Sequence, residues 1–242
     1  RKMPTTLSFR WYILLFPLMI FIAINGSAQS FYRVGSMPSV NINNGLPDNW
    51  ALHFKTESRL LFQSGQFGKE PIRDFDYVLS DISMIVSKKT GLNTNLGGGY
   101  LVRILENQVI HRTIQQISIV RKYNSFRLAH RFSADQSFNL SPNGEFEFKY
   151  VEYRLRYRIA AEFPLNGQSV DAREFYLKIN NEYLYGWQNS EDDIEIRIVP
   201  LLGYNFEDNS KLEMGLDYRL DSFLNDHTQN SFWLSINWFF RI

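Results

Sequence analysis

The residues with the greatest chemical potential form a charged array. Glu152, Arg154, Arg156 and Arg158 recur at every second position, as do Glu195 with Arg197 and, further on, Glu213, Asp217, Arg219 and Asp221. A spacing of two puts such side chains on one face of an extended strand. Cations and carboxylates sharing a face can neutralise one another, or they can line a water path that selects ions by charge. Other candidates carry less. Asp226-His227, close to Asp221, joins a carboxylate to an imidazole able to activate water, yet the run 225–230 has the composition of a solvated turn. His53, His111 and His130 stand at no metal-ligand spacing and are expected to be packed or hydrogen-bonded within strands. Gly97-Gly98-Gly99 opens no helix and therefore marks a bend or a close backbone approach rather than a phosphate loop. No serine sits in a glycine elbow. The chain has no cysteine, which excludes thiol nucleophiles, thiolate zinc sites and disulfides. These residues supply no complete catalytic constellation and call for no metal and no cofactor.

The elements that must hold the array are strands. From Trp50 onward the dominant period is two. Phe232, Leu234, Ile236, Trp238, Phe240 and Ile242 share one face of the last segment, opposite Trp233, Ser235, Asn237, Phe239 and Arg241. Leu212, Met214, Leu216, Tyr218 and Leu220 likewise oppose Glu213, Asp217, Arg219 and Asp221, and Ile194, Ile196, Ile198, Leu202 and Tyr204 oppose Glu195 and Arg197. Phe175, Leu177, Ile179, Tyr183 and Tyr185 oppose Lys178, Asn180 and Glu182, and Val151, Tyr153, Leu155, Tyr157 and Ile159 oppose the array at 152–158. Earlier strands are expected at about 48–62, 76–89, 92–105, 109–122 and 125–137, with Thr94, Leu96, Tyr100, Val102 and Ile104 the clearest apolar set. Within 109–122, Ile110 and Ile114 lie out of phase with Ile117 and Ile119, which predicts a bulge or a mixed face. Pro200, without an N–H, predicts a bulge. Turns at 89–91, 123–125 and 207–210 are short and the connection from Gln63 to Asp74 is longer, a pattern expected of a barrel with both termini on the periplasmic side.

The first 28 residues are set apart. Arg1, Lys2 and Arg10 precede an apolar stretch from Trp11 to Ile24, interrupted by Pro17, and then Gly26-Ser27-Ala28. This is the pattern of a signal peptide cleaved after Ala28, because a membrane-spanning helix needs about 20 apolar residues. Its removal leaves 23 of the 26 basic residues against 25 acidic ones, and a near-neutral chain carries no footprint for nucleic acid. Residues 29–47 read as a loosely ordered periplasmic lead-in, or as a segment tucked into a barrel mouth, ahead of a barrel over 48–242.

A soluble barrel would also alternate. Ten strands each turning about five large side chains into one lumen would overfill it, since eight-stranded barrels are already filled. Facing lipid, the same side chains need no cavity. Strands of about ten residues tilted by ~40° span roughly the 25 Å apolar band of a membrane barrel, and Trp50, Tyr100, Tyr183, Tyr185, Tyr204 and Trp238 sit mainly near segment ends, where aromatic girdles belong. The expectation is an all-β fold: an antiparallel, up-and-down transmembrane β-barrel of about ten strands in the outer membrane of a Gram-negative bacterium. Outer-membrane lipid and lipopolysaccharide would be its surroundings.

Short stretches reinforce this reading. Asn181 to Gly186, Glu195-Ile196-Arg197 with Pro200 to Tyr204, Glu213 to Arg219, and Ser231 to Trp238 resemble domain of unknown function 2490, a family of outer-membrane barrels common in Bacteroidota. The resemblance reaches back through Tyr153 to Arg158 and through Arg112 with Gln115-Gln116, and so covers most of the chain after residue 28. At Arg127 to Phe132 the family more usually carries a glutamate where Ala129 stands, which implies a different charge pairing there. The resemblance implies fold and compartment and supplies no activity. The closing strand, Phe232, Leu234, Ile236, Trp238, Phe240 and Ile242, also resembles the C-terminal signal by which barrel-assembly machinery recognises its clients, with Ile242 in place of a terminal phenylalanine.

If the apolar faces turn outward, Arg127, Arg131, Glu152, Arg154, Arg156, Arg158, Lys178, Glu182, Glu195, Arg197, Glu213, Asp217, Arg219 and Asp221 face the lumen. Three functional classes follow. The first is a structural barrel whose charges pair and largely close the pore. The second is a narrow channel for small anionic solutes walled by the arginines of 152–158, and the third a hydrolase using the Asp226-His227 loop.

Overall fold

The computed structural model describes residues 30–140, 146–167, 169–189, 191–222 and 228–242. The expected signal peptide and Asp226-His227 lie outside these residues. Among the described residues there are eleven strands: β1 (Phe31–Leu46), β2 (Trp50–Gln66), β3 (Ile72–Lys89), β4 (Thr94–Ile104), β5 (Val109–Lys122), β6 (Arg127–Leu140), β7 (Phe146–Pro164), β8 (Glu174–Gln188), β9 (Glu191–Asn205), β10 (Lys211–Asp221) and β11 (Gln229–Arg241). They close into one barrel in chain order. Each of the ten segments expected from periodicity corresponds to one strand from β2 to β11.

The eleventh strand comes from residues 31–46, where a loose lead-in was expected. Tyr32, Val34, Val40 and Ile42 do alternate with Arg33, Gly35, Met37, Ser39 and Asn41, but Ser36 and Pro38 interrupt the apolar face. β1 pairs antiparallel with β2 and parallel with β11, Val34 lying beside Phe232 and Val40 beside Trp238. The barrel therefore closes through one parallel seam. Because β1 and β11 run in the same direction, Phe31 and Arg241 lie at opposite ends, not at the same end as the turn pattern had suggested. The connection after β2 is also shorter than expected, as β2 and β3 extend until only 67–71 separates them.

Two other local expectations resolve differently. Pro200 makes no bulge: the β9–β10 register is the same on both sides of it, with the pairs at Leu216 and Asp217 missing between. Gly215 takes up the approach, since a Cβ there would stand 2.0 Å from the Pro200 carbonyl oxygen. β5 has no register shift against β4 or β6, so its out-of-phase isoleucines give a mixed face. Ile114 points inward and is buried, while Thr113 and Gln115 point outward with Gln136 of β6. The three outward polar side chains satisfy one another: Thr113 Oγ1 donates to Gln136 Oε1 at 2.5 Å, and the two amides exchange bonds at 3.1 and 3.2 Å. Gly99 is a close backbone approach, as a Cβ would come within 2.5 Å of the Met84 carbonyl oxygen.

The outer surface is apolar and exposed, with Phe54, Met84, Leu96, Phe132, Leu155, Leu202, Met214, Leu216 and Leu234 among its side chains. Aromatic contacts gather at its two ends. Tyr32–Phe67, Phe62–Phe75, Tyr153–Trp187 and Tyr218–Phe232 lie towards the end where β1 begins. Tyr123–Phe126–Phe163, Phe175–Tyr204–Phe206 and Trp238–Phe240 lie towards the other. At that second end the turn 206–210 is fixed by Asp208, whose Oδ1 accepts from the Ser210 N–H at 2.9 Å and its hydroxyl at 2.6 Å. Both bonds favour the ionised carboxylate and hold its pKa below the usual aspartate value.

Candidate functional site: the charged lumen

The polar faces of the strands meet inside the barrel around a cavity of about 490 Å³. Of the fourteen side chains expected in the lumen, Arg131, Arg154, Arg156, Arg158, Lys178, Glu182, Glu195, Arg197, Glu213, Asp217, Arg219 and Asp221 line this cavity. The other two are joined to the same interior through ion pairs: Glu152 with Arg154 at 2.5 Å, and Arg127 with Glu162 at 2.8 Å.

The pairs run along the wall. Within single strands, residues two apart share a face and pair: Arg197 with Glu195 at 2.5 Å, Arg219 with Asp217 at 2.8 Å, and Glu57 with both Lys55 at 2.7 Å and Arg59 at 3.0 Å. Between neighbouring strands, Arg103 is held by Asp81 at 2.7 Å and Arg156 by Asp135. Glu182 is the most heavily used carboxylate. It is buried, with Arg158 at 2.9 Å, Arg197 at 3.6 Å and Arg156 at 3.9 Å. Lys178 reaches past β9 to Glu213 at 2.8 Å. Pairs of this kind draw the long side chains flat against the strands that carry them, which leaves space along the axis.

Inward aromatic groups fill part of the interior beside the cavity. Tyr176 is fully buried, donates to Glu213 Oε1 at 2.8 Å and lies over Gly203, where a Cβ would stand 2.2 Å from its ring. Lys211 lies 5.3 Å from the Tyr176 ring and Lys178 lies 5.6 Å from the Phe239 ring, so cations and aromatic faces alternate in this part of the lumen. Trp233, also buried, occupies the space left by Gly35.

Several members of the network were not anticipated from the sequence: Glu57, Arg59, Asp81, Arg103, Arg112, Asp135, Glu162 and Tyr176. Asp81 and Arg103 share the parity of their lumenal neighbours, and that parity was the available signal. The same parity runs through Lys55, Glu57 and Arg59 in β2 and through Arg131, Ser133 and Asp135 in β6, since the register shifts at Arg59/Leu60 and Ser137/Asn139 come only after these residues. Tyr176 was hidden by its apolar neighbours Phe175 and Leu177.

The histidines do not gather. His53 bonds Asn43 at 2.5 Å and Ser87 at 3.0 Å, His111 bonds the Tyr100 hydroxyl at 2.8 Å, and His130 bonds the Tyr157 hydroxyl at 2.9 Å. Among the described residues there is no group of three or more acidic or imidazole side chains suited to a metal ion. In the closing strand, Phe232, Leu234, Ile236, Trp238 and Phe240 occupy the outward face of β11, and Ile242 follows its end with its N–H bonded to the Asn43 carbonyl at 3.0 Å.

No curated protein and no solved structure matches the chain. A family described as "Protein of unknown function (DUF2490)" matches residues 35–240, which takes in nearly the whole barrel from β1 to β11. With most of its length covered by that match, the chain belongs to the DUF2490 family.

Proposed function

We propose that this protein is an outer-membrane β-barrel whose lumen is charge-paired and largely closed, so that its role is structural rather than that of an open pore. The observation that carries the reading is the inversion of polarity: exposed aliphatic and aromatic side chains cover the outside, while carboxylates and guanidinium groups are buried within. In water that arrangement leaves a large apolar surface unsatisfied. In a bilayer the outer surface is solvated by lipid, and the mutual bonding of Thr113, Gln115 and Gln136 meets the requirement that polar groups facing lipid be satisfied internally. The shortest strands have 11 residues, which at ~3.3 Å per residue and a tilt of ~40° span roughly the required apolar band. The ion pairs and Tyr176 support a closed lumen.

The test separates lipid from water at one position. Leu234, near the middle of β11, points outward and is 47% exposed. Leu234→Arg should destabilise the folded barrel in bilayers by about 2–4 kcal/mol, measured by denaturant titration of protein refolded into vesicles. A change near zero would show that Leu234 faces water and would end the membrane reading. Planar-bilayer recording of the wild type should show no steady conductance, and a steady anion-selective current would replace closure with the channel reading.

A further inference from the structure

The positive charge of the lumen is not evenly neutralised. Eleven basic and seven acidic side chains line the cavity, and counting Asp135 and Glu152, which pair with Arg156 and Arg154, still leaves two cations in excess. On β9 and β10, Arg197 and Arg219 each bind a carboxylate through two nitrogens. The wall formed by β5 to β7 is different. Arg131 of β6 stands directly opposite Arg158 of β7 in the ladder, and like charges in that position repel. Arg158 gives one nitrogen to Glu182 while its Nε is buried without a partner. Arg131 makes no ion pair among the described residues. Further along the wall, Arg112 is 3% exposed, and its Nε donates to a hydroxyl, that of Ser137, at 2.8 Å.

Arg131 and Arg158 are half-buried, and Glu182 is the carboxylate that Arg158 already shares with Arg156 and Arg197. Two guanidinium groups side by side, both facing one cavity, present the planar donor forks that match an oxyanion. We propose that the lumen contains an oxyanion seat between Arg131 and Arg158, fitted to a small soluble phosphate-type anion. The source is soluble rather than a lipid headgroup, because the cavity lining is dominated by charged side chains and offers no continuous apolar track for acyl chains. The seat deepens the proposed reading, since it lies in the same paired lumen and gives its surplus cations a partner.

The seat makes the chemistry of Arg131 conditional on the buffer. In chloride, Arg131→Gln should unfold no more easily than wild type, because the change removes a cation that repels Arg158. Inorganic phosphate, titrated against sodium chloride at equal ionic strength, should raise the unfolding midpoint of wild-type protein in micelles along a saturating curve. It should also broaden the phosphorus resonance of the free anion. In R131Q both responses should weaken at least tenfold, while Arg173→Gln, which alters an exposed pair with Glu207 outside the cavity, should retain them. Absence of a saturable response in wild type, equal responses in R131Q and wild type, or equal loss in R173Q would each overturn the seat. A short-chain phosphatidic acid that shifts the midpoint more strongly than inorganic phosphate would overturn the soluble source. Folding of every variant is read from the heat-dependent gel shift of a closed barrel. Conductance bears on closure and phosphate response on the seat, so the failure of either idea is seen separately.

Discussion

Glu182 shows how one side chain sets the electrostatics of an interior. Three guanidinium groups converge on its carboxylate, supplied by β7 and β9, so it joins the two strands that flank its own. Substituting Glu182→Gln keeps the shape and removes the charge, leaving three arginines with less compensation than before. The expected cost is about 3–5 kcal/mol, read as a lower urea midpoint for the refolded barrel. A loss below about 1 kcal/mol would mean that water, rather than this carboxylate, neutralises the arginines. Arg131 is the counter-example within the same network: it pairs with no carboxylate among the described residues, so the same kind of substitution is expected to be mild in chloride.

Among the elements, β8 connects packing to permeability. Its inward face presents Tyr176, Lys178, Asn180 and Glu182 in succession, and Tyr176 fills the lumen because Gly203 on β9 gives its ring room. Tyr176→Ala should therefore cost on the order of 3 kcal/mol and raise conductance in planar bilayers, where the wild type is expected to be silent. An unchanged, silent barrel would place the constriction elsewhere. The β8 charges were legible in the sequence because strand parity is rigid: once Leu177 and Ile179 face out, Lys178 and Glu182 must face in. Tyr176 obeys the same parity, and only its place between two apolar neighbours kept it from being counted with the inward charges. In β2 the inward Glu57 and Arg59 precede the slip at Arg59/Leu60 and keep parity with Lys55; they were missed because Thr56 and Ser58 blunt the apolar stripe on the opposite face. In β5 the pattern was readable but ambiguous, and only the unbroken register showed that the polar residues tolerate the outer face by bonding to each other. β1 was lost for a related reason. Ser36 and Pro38 blunt its outward stripe, and its identity as a strand depends on two partners distant in sequence, β2 by hairpin and β11 across the whole chain.

At the level of the whole molecule, eleven strands give a cylinder whose first and last strands run side by side in the same sense. In a bilayer, an epitope inserted before Phe31 and another appended after Ile242 should then lie on opposite faces. Antibody labelling of intact and permeabilised cells distinguishes the cases: one tag should be reached only after permeabilisation, and labelling of both in intact cells would contradict the parallel seam. The seam also constrains how such a cylinder is made. Every other contact between neighbouring strands can form as a local hairpin, but β1 and β11 meet only by bringing together the two extremes of the sequence, the contact with the largest loop-closure cost. Sealing is thus expected to be the last and slowest event of maturation. A protein deprived of its leading strand would be left with β2 and β11 as two raw borders, each a template for unwanted pairing until the two meet one another.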